Sequence, residues 1–149
     1  MAGILSACGK EKCEYSECAM TAPATEIQSL QSYLQSNNIT ATQHCSGTFY
    51  VIDQQGNGDR PTACDQVSVR YQGRLTNGTV FDPQGGGMST ASFNLGGLIP
   101  GFKNALLQLK SGGKITIYIP PTLGYGSQQV GNIPPNSNLI FTVELLEVQ

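Results

Sequence analysis

His44 and Cys45 adjoin, and a thiol beside an imidazole is the smallest set of groups that could do nucleophilic chemistry here. His44 is the chain's one histidine, and in a segment just ahead of a strand it reads more simply as a solvated loop residue. Cys8, Cys13 and Cys18 recur with four residues between them rather than as C-x-x-C, a poor match to a structural metal site, so no metal ligand set is expected. Gly85, Gly86 and Gly87 lack the Lys-Ser/Thr that completes a phosphate loop. Asp82 has no acidic neighbour in sequence with which to divide acid and base roles. Nucleophile, metal and cofactor chemistry therefore find no support.

What remains is a set of large apolar residues at strand ends and in loops: Tyr71, Phe81, Leu98, Ile99, Phe102, Tyr125, Ile133 and Phe141. Periodicity alone accounts for Phe81 and Phe141 as core. Tyr125 is different, because it stands between glycines in a loop, where no repeat calls for an aromatic.

The frame that must hold these residues is modest. The chain has 149 residues, a formal charge of −2 and 12% charged residues. That length suits one domain plus an appendage, and the absence of a basic patch argues against nucleic acid as a partner. No apolar run approaches the ~18 residues of a membrane-spanning helix. Residues 1–22 have no periodicity and read as a flexible tether. Residues 23–46 read as a helix and linker: Thr25 and Gln28 have capping-box spacing, and Ile27, Leu30, Tyr33 and Leu34 form one stripe. A helix of about three turns is too short to stand alone, so it should dock on the main domain or on a partner.

Residues 47–149 read as a β-rich domain. Val67, Val69 and Tyr71 alternate with polar residues, as do Ile115, Ile117 and Ile119, and then Leu139, Phe141, Val143 and Leu145. Asn77-Gly78 marks a tight hairpin with positive φ at both positions. Pro100 opens a short helix whose apolar stripe is Ile99, Phe102, Ala105, Leu106 and Leu109, and which should cover the sheet's apolar face. The fold class is α+β.

Several of these segments carry a resemblance. Val69-Arg70-Tyr71-Gln72-Gly73-Arg74-Leu75, Asn77-Gly78 and Phe81-Asp82 look like the signature of the FKBP-type peptidyl-prolyl isomerases. So do Leu98-Ile99-Pro100-Gly101-Phe102, Gly124-Tyr125-Gly126, Ile133-Pro134-Pro135 and Leu139-Ile140-Phe141-Thr142-Val143-Glu144-Leu145-Leu146. The matches are collinear over residues 48–148. The resemblance implies an antiparallel sheet of five or six strands wrapped around one short helix, with the helix at 23–46 as an addition. It implies an enzyme that speeds cis/trans exchange of X–Pro bonds during protein folding, without cofactor or metal. Tyr71, Asp82, Ile99 and Tyr125 take the catalytic positions; Phe81, Leu98, Phe102, Ile133 and Phe141 line the substrate pocket. The Ile99 N–H and the Tyr125 hydroxyl would donate hydrogen bonds to the bound segment. Proline-containing polypeptides are the implied partners, with macrolide inhibitors of the family as a second ligand class. The alternative is a proline-peptide binding module or holdase with little turnover.

Three departures bear on macrolide affinity more than on fold or isomerisation, one of them the polar Ser127-Gln128-Gln129 after Tyr125, without the family's frequent histidine. Ala91 stands where the family often has an aromatic, and residues 83–90 contain no positive charge to pair with Asp82. At the other end, Leu5-Ser6-Ala7-Cys8 resembles a bacterial lipobox. Cys8 is thus the expected lipidation site of an extracytoplasmic lipoprotein, periplasmic or on the outer membrane. The apolar stretch before it is too short for a signal peptide, which implies an upstream segment. Four cysteines then remain, with three possible pairings. Cys45 and Cys64 each precede a predicted strand, so they are expected to pair, leaving Cys13 with Cys18. A monomer is expected.

Overall fold

The alternating run around Tyr71 becomes a central strand of a single sheet. In the computed structural model, which describes residues 13–149, strand β3 (Gln66–Leu75) pairs antiparallel with β7 (Leu139–Val148). On the far side of β7 lie β6 (Lys114–Ile119), then β2 (Phe49–Gln54) and the two-residue β1 (Thr42–Gln43). The other edge of β3 is shared by β4 (Val80–Asp82), which pairs near Gly73, and β5 (Ser89–Asn94), which pairs with residues 66–71. Seven strands thus fill six ranks, all antiparallel, in line with the expected sheet.

Helix α2 (Pro100–Leu106) lies in the sheet's concave face and buries Phe102, Ala105 and Leu106 against Ile115, Ile117, Ile119, Phe141 and Val143. Gly101 lets it approach: a side chain there would collide with Ile119. The outer face has its own apolar set, Phe49, Tyr118 and Ile140, covered by Leu30 and Leu34 of helix α1 (Ala24–Ser36). The N-terminal helix therefore docks on the main domain. Its start differs from the expected capping box. Pro23 is the N-cap, with φ −63° and no side-chain cap bond, so Thr25 already lies inside the helix and cannot cap it. The hairpin also differs. Among the described residues only Gly78 of the Asn77-Gly78 pair has positive φ. Leu75 N–H donates to Thr79 O, and the Asn77 side chain accepts from Thr79 N–H, so the turn is wider than two residues.

Cys8 lies outside the described residues. From Cys13 onward the expected tether is a strap pinned by two disulfides, Cys13–Cys64 and Cys18–Cys45, with Cα–Cα distances of 5.8 and 5.7 Å. The expected Cys45–Cys64 and Cys13–Cys18 pairs do not form. The reason is strand order: β6 and β7 separate β2 from β3, which sets their ends about 14 Å apart at ~4.8 Å per rank. The five-residue step from Cys13 to Cys18 can reach about 17 Å when extended, and it bridges that gap across the back of α2. There Tyr15 O–H donates to Asn104 Oδ1 at 2.6 Å, Asn104 Nδ2 donates to Ser46 Oγ at 3.2 Å, and Gln108 Nε2 donates to Glu17 Oε1 at 2.8 Å.

The strap also buries His44, which is only 8% exposed rather than solvated. Its Nδ1 accepts the Ser46 N–H, and its Nε2 lies 2.8 Å from Glu17 Oε1. Among the described residues no helix is long and apolar enough to cross a membrane.

Peptide mapping without reductant should recover Cys13 linked to Cys64 and Cys18 linked to Cys45. The Cys13→Ser/Cys64→Ser double variant opens a loop of 51 residues' separation and should lose roughly 2–4 kcal/mol in urea unfolding; an unchanged midpoint would refute the strap's contribution.

Candidate functional site

At the start of α2 the inner face of the sheet is left partly uncovered, and a cleft of about 130 Å³ opens there. Its walls are Tyr71, Asp82, Phe93, Leu98, Ile99, Phe102, Tyr125 and Phe141. Phe102, the first large residue of α2, meets Phe141 edge-on, with centroids 5.2 Å apart at 84°. Phe81 meets the same ring from the sheet side at 5.6 Å and 86°. This T-shaped stacking is the favoured geometry for aromatic rings. Gly73 makes room for it, since a Cβ there would strike both Phe81 and Phe141.

Of the residues singled out in the sequence, Tyr71, Asp82, Leu98, Ile99, Phe102, Tyr125 and Phe141 converge on the cleft. Phe81 and Ile133 stand one layer back: Phe81 supports the Phe141 ring, and Ile133 is buried in the main core. The residue missed is Phe93. It lies two positions beyond Ala91 on the same face of β5, and its ring stands edge-on to Tyr71 at 5.7 Å. The period-two spacing from Ala91 to Phe93 was the available signal, so the wall that Ala91 leaves thin is thickened from further along the strand.

Polar groups at the cleft are few and directional. Tyr71 O–H donates to Asp82 Oδ2 at 2.8 Å. Burial, then the Asp82 carboxylate as acceptor and as charge, pushes the Tyr71 hydroxyl up to about 12. Tyr125 is raised too, first by burial and then by Asp82. No arginine serves Asp82; the Tyr71 hydroxyl does. Among the described residues the Ile99 N–H and the Tyr125 hydroxyl make no hydrogen bond, so both are available to a bound chain. The Ile99 donor is free because Ile99 is the N-cap of α2, where no preceding turn supplies an acceptor.

Charge is otherwise absent: residues 83–102 and 115–143 contain no Asp, Glu, Lys, Arg or His. The rim at residues 84–88 presents three glycines at positive φ, with Gln72 Nε2 donating to Gly87 O at 2.8 Å. With one carboxylate and no histidine or thiol, the cleft offers far fewer donors than a metal needs. Cys18, His44 and Cys45 do cluster within 4.8 Å, but their sulfurs are bonded to each other, which removes both thiolates as nucleophile or ligand.

The chain matches the family model for FKBP-type peptidyl-prolyl cis-trans isomerases over residues 58–146. It is 44% identical over 104 residues to the FKBP-type peptidyl-prolyl cis-trans isomerase FkpA of Escherichia coli (strain K12), covering 70% of this chain and 38% of that protein. It is 45% identical over 105 residues to the peptidyl-prolyl cis-trans isomerase Mip of Coxiella burnetii, covering 70% and 46%. The chain thus spans less than half the length of these curated relatives. The crystal structure of FkpA from Escherichia coli superposes with a TM-score of 0.73 at 37% identity, covering 85% of this chain and 60% of that one. That of a peptidyl-prolyl cis-trans isomerase from Pseudomonas syringae pv. tomato superposes with a TM-score of 0.71 at 27% identity, covering 88% and 99%.

The Tyr71 hydroxyl gives the site a pH signature. Below the ordinary tyrosine value of 10.0 both folded and unfolded chains keep the proton, and the contribution is fully present. From there toward about 12 only the unfolded chain releases it, so stability falls as pH rises. Urea unfolding between about pH 9 and 11 should show a decline on the order of 1–2 kcal/mol. Tyr71→Phe should flatten part of that decline, and an identical slope in the variant would refute the assignment.

Proposed function

This chain belongs to the FKBP-type peptidyl-prolyl cis-trans isomerase family, and on that premise we propose that its cleft speeds cis/trans exchange of X–Pro bonds in folding polypeptides. The observation that carries the reading is the convergence of two unengaged donors, Ile99 N–H and Tyr125 O–H, over a floor of Phe102 and Phe141 in a cleft whose one charged wall residue is Asp82.

The chemistry asked of the site is rotation alone. Twisting an amide costs ~18–20 kcal/mol because resonance is lost, while the two X–Pro ground states differ by only about 0.5–1 kcal/mol. A planar amide is more dipolar than a twisted one, so moving it from water to an aromatic wall disfavours the planar form more. The proline ring suits the Phe102–Phe141 floor. The Ile99 amide and the Tyr125 hydroxyl would bind carbonyls of the segment and hold it in a turn, which adds orientation. Asp82 fixes Tyr71, and so that wall, through the 2.8 Å bond. Only contacts that strengthen in the twisted state raise the rate, and none of these requires a covalent step. An apolar residue before the proline should be preferred, since Tyr71, Phe93 and Leu98 face it. Macrolide inhibitors of the family would compete for the same floor.

We place the protein in an oxidising compartment outside the cytoplasm, working as a single chain. Its two disulfides support the compartment. The lipobox-like residues 5–8 support an acyl anchor on Cys8, which mass spectrometry of native material would reveal or refute.

The decisive measurement is proline-peptide exchange followed by NMR. The full chain should accelerate it, and a chelator should leave the rate unchanged. Tyr125→Phe keeps the ring and removes one donor; kcat/KM should fall by up to about tenfold with unfolding almost unaltered. Phe102→Ala should damage both, since such truncations cost ~3–5 kcal/mol. Tight binding of several proline peptides without acceleration would replace the enzyme with the binding module.

A further inference from the structure

Glu26 sits in the first turn of α1, a helix that packs on the outer face of the sheet, yet its whole carboxylate serves one residue near the cleft. Oε1 accepts the Thr122 N–H at 2.9 Å and Oε2 accepts the Thr122 hydroxyl at 2.8 Å. Thr122 is the middle residue of a short 3-10 turn, Pro121–Leu123. The Pro121 carbonyl in turn accepts from Gly124 N–H at 2.9 Å and from Gly126 N–H at 2.8 Å, the two residues that bracket Tyr125. Gly126 O then accepts from Asn136 N–H at 2.8 Å, which closes the loop. A continuous set of hydrogen bonds therefore runs from the N-terminal helix to the backbone on both sides of Tyr125.

The chemistry of the loop makes this contact matter. Residues 115–143 carry no charge, so no residue of that stretch can supply an ionised partner. Pro120 and Pro121 have no N–H to give, which leaves Thr122 N–H as the first donor of the turn. A carboxylate is the strongest acceptor available to it, since hydrogen bonds to ionised groups are roughly twice as strong as neutral ones. The helix itself does not need the contact, because Leu30 and Leu34 already fix α1 on Phe49, Tyr118 and Ile140. Nothing in the helix's own capping uses the Glu26 side chain.

We propose that Glu26 is a positioning residue of the isomerase cleft, aiming the Tyr125 hydroxyl through Thr122 and the Pro121 carbonyl, and that α1 is thereby part of the working site. This rests on the isomerase reading of the cleft. Glu26 touches no substrate; it acts through the turn.

The test compares Glu26→Ala, Glu26→Gln, Tyr125→Phe and the Glu26→Ala/Tyr125→Phe pair in the full chain. Glu26→Ala should lower kcat/KM by about threefold to tenfold. It should speed amide exchange at Thr122 and Gly126 by at least about tenfold, while Ile117 and Phe141 in the central strands keep theirs. Glu26→Gln should restore most of both, because its amide accepts from the Thr122 N–H and donates to the Thr122 hydroxyl. In the Tyr125→Phe background, Glu26→Ala should cost less than about twofold, since the two act through one hydroxyl. Unchanged exchange at Thr122 and Gly126, fully additive losses in the pair, or no rescue by glutamine would each overturn the proposal. If the wild type accelerates no proline peptide, peptide affinity becomes the readout. Glu26→Ala should then weaken it by about threefold to tenfold, and an unchanged affinity would sink the brace independently of the enzyme.

Discussion

Helix α2 has seven residues, and the sheet it must cover has central strands of ten. At 1.5 Å per residue the helix is about 10 Å long, while those strands run about 33 Å. Much of the inner face therefore has no helix over it. That surface cannot be left wet and apolar without cost, so side chains lean across it: Phe141 and Phe81 from the sheet, Phe93 from the edge strand, Phe102 from the helix's own first turn. The rings close most of the gap, and what they leave open is the cleft. The cleft is the remainder of an incomplete core, which explains why it is aromatic, nearly uncharged and adjacent to unengaged backbone at the helix's start.

The same mismatch shapes the outer face. A sheet curved around a small helix presents apolar residues on its convex side as well, at Phe49, Tyr118 and Ile140. Helix α1 covers them. The segment ahead of α1, from Cys13 to Cys18, crosses the back of α2 as a strap with a disulfide at each end. The strap does more than close loops. Asn104 of α2 and Gln108 in the turn that follows it face away from the cleft, and Asn104 could not be buried there without partners. Tyr15, Glu17 and Ser46 supply those partners. Phe102 is thereby held from behind by groups that share no surface with the substrate site.

Sequence reading reached the parts of this structure that depend on short-range pattern. Period-two runs located β3, β6 and β7, and the apolar stripe after Pro100 located α2, because a strand or helix facing one core must repeat at its own period. The motif resemblance brought seven of the cleft's residues together, Tyr71 and Tyr125 among them. Phe93 escaped because Ser89, Thr90 and Ser92 blur the alternation of β5. The rest turned on strand order, which no local pattern encodes. Cys45 and Cys64 each precede a strand, yet β6 and β7 lie between those strands. His44 looked solvated because its cover, the strap at Glu17, is distant in sequence. Glu26 looked like an ordinary first-turn acid because its partner is 96 residues away.

A catalyst that makes and breaks no covalent bond can lower a barrier only by fitting the twisted chain better than the planar one, and the fit is only as good as the parts are fixed. Two short segments carry the unengaged donors: the start of α2, with the Ile99 amide, and the loop around Tyr125. Each is tied to residues before 47, α2 through Asn104 and the strap, the loop through Glu26 and Thr122. Glycine and polar residues dominate the rim at 84–88 and 126–132. Ties to the N-terminal segment are thus concentrated at the donors, while the rim at 84–88 is built of glycines at positive φ. That division suits the proposed activity, in which one imide bond is oriented while the sequence around it varies.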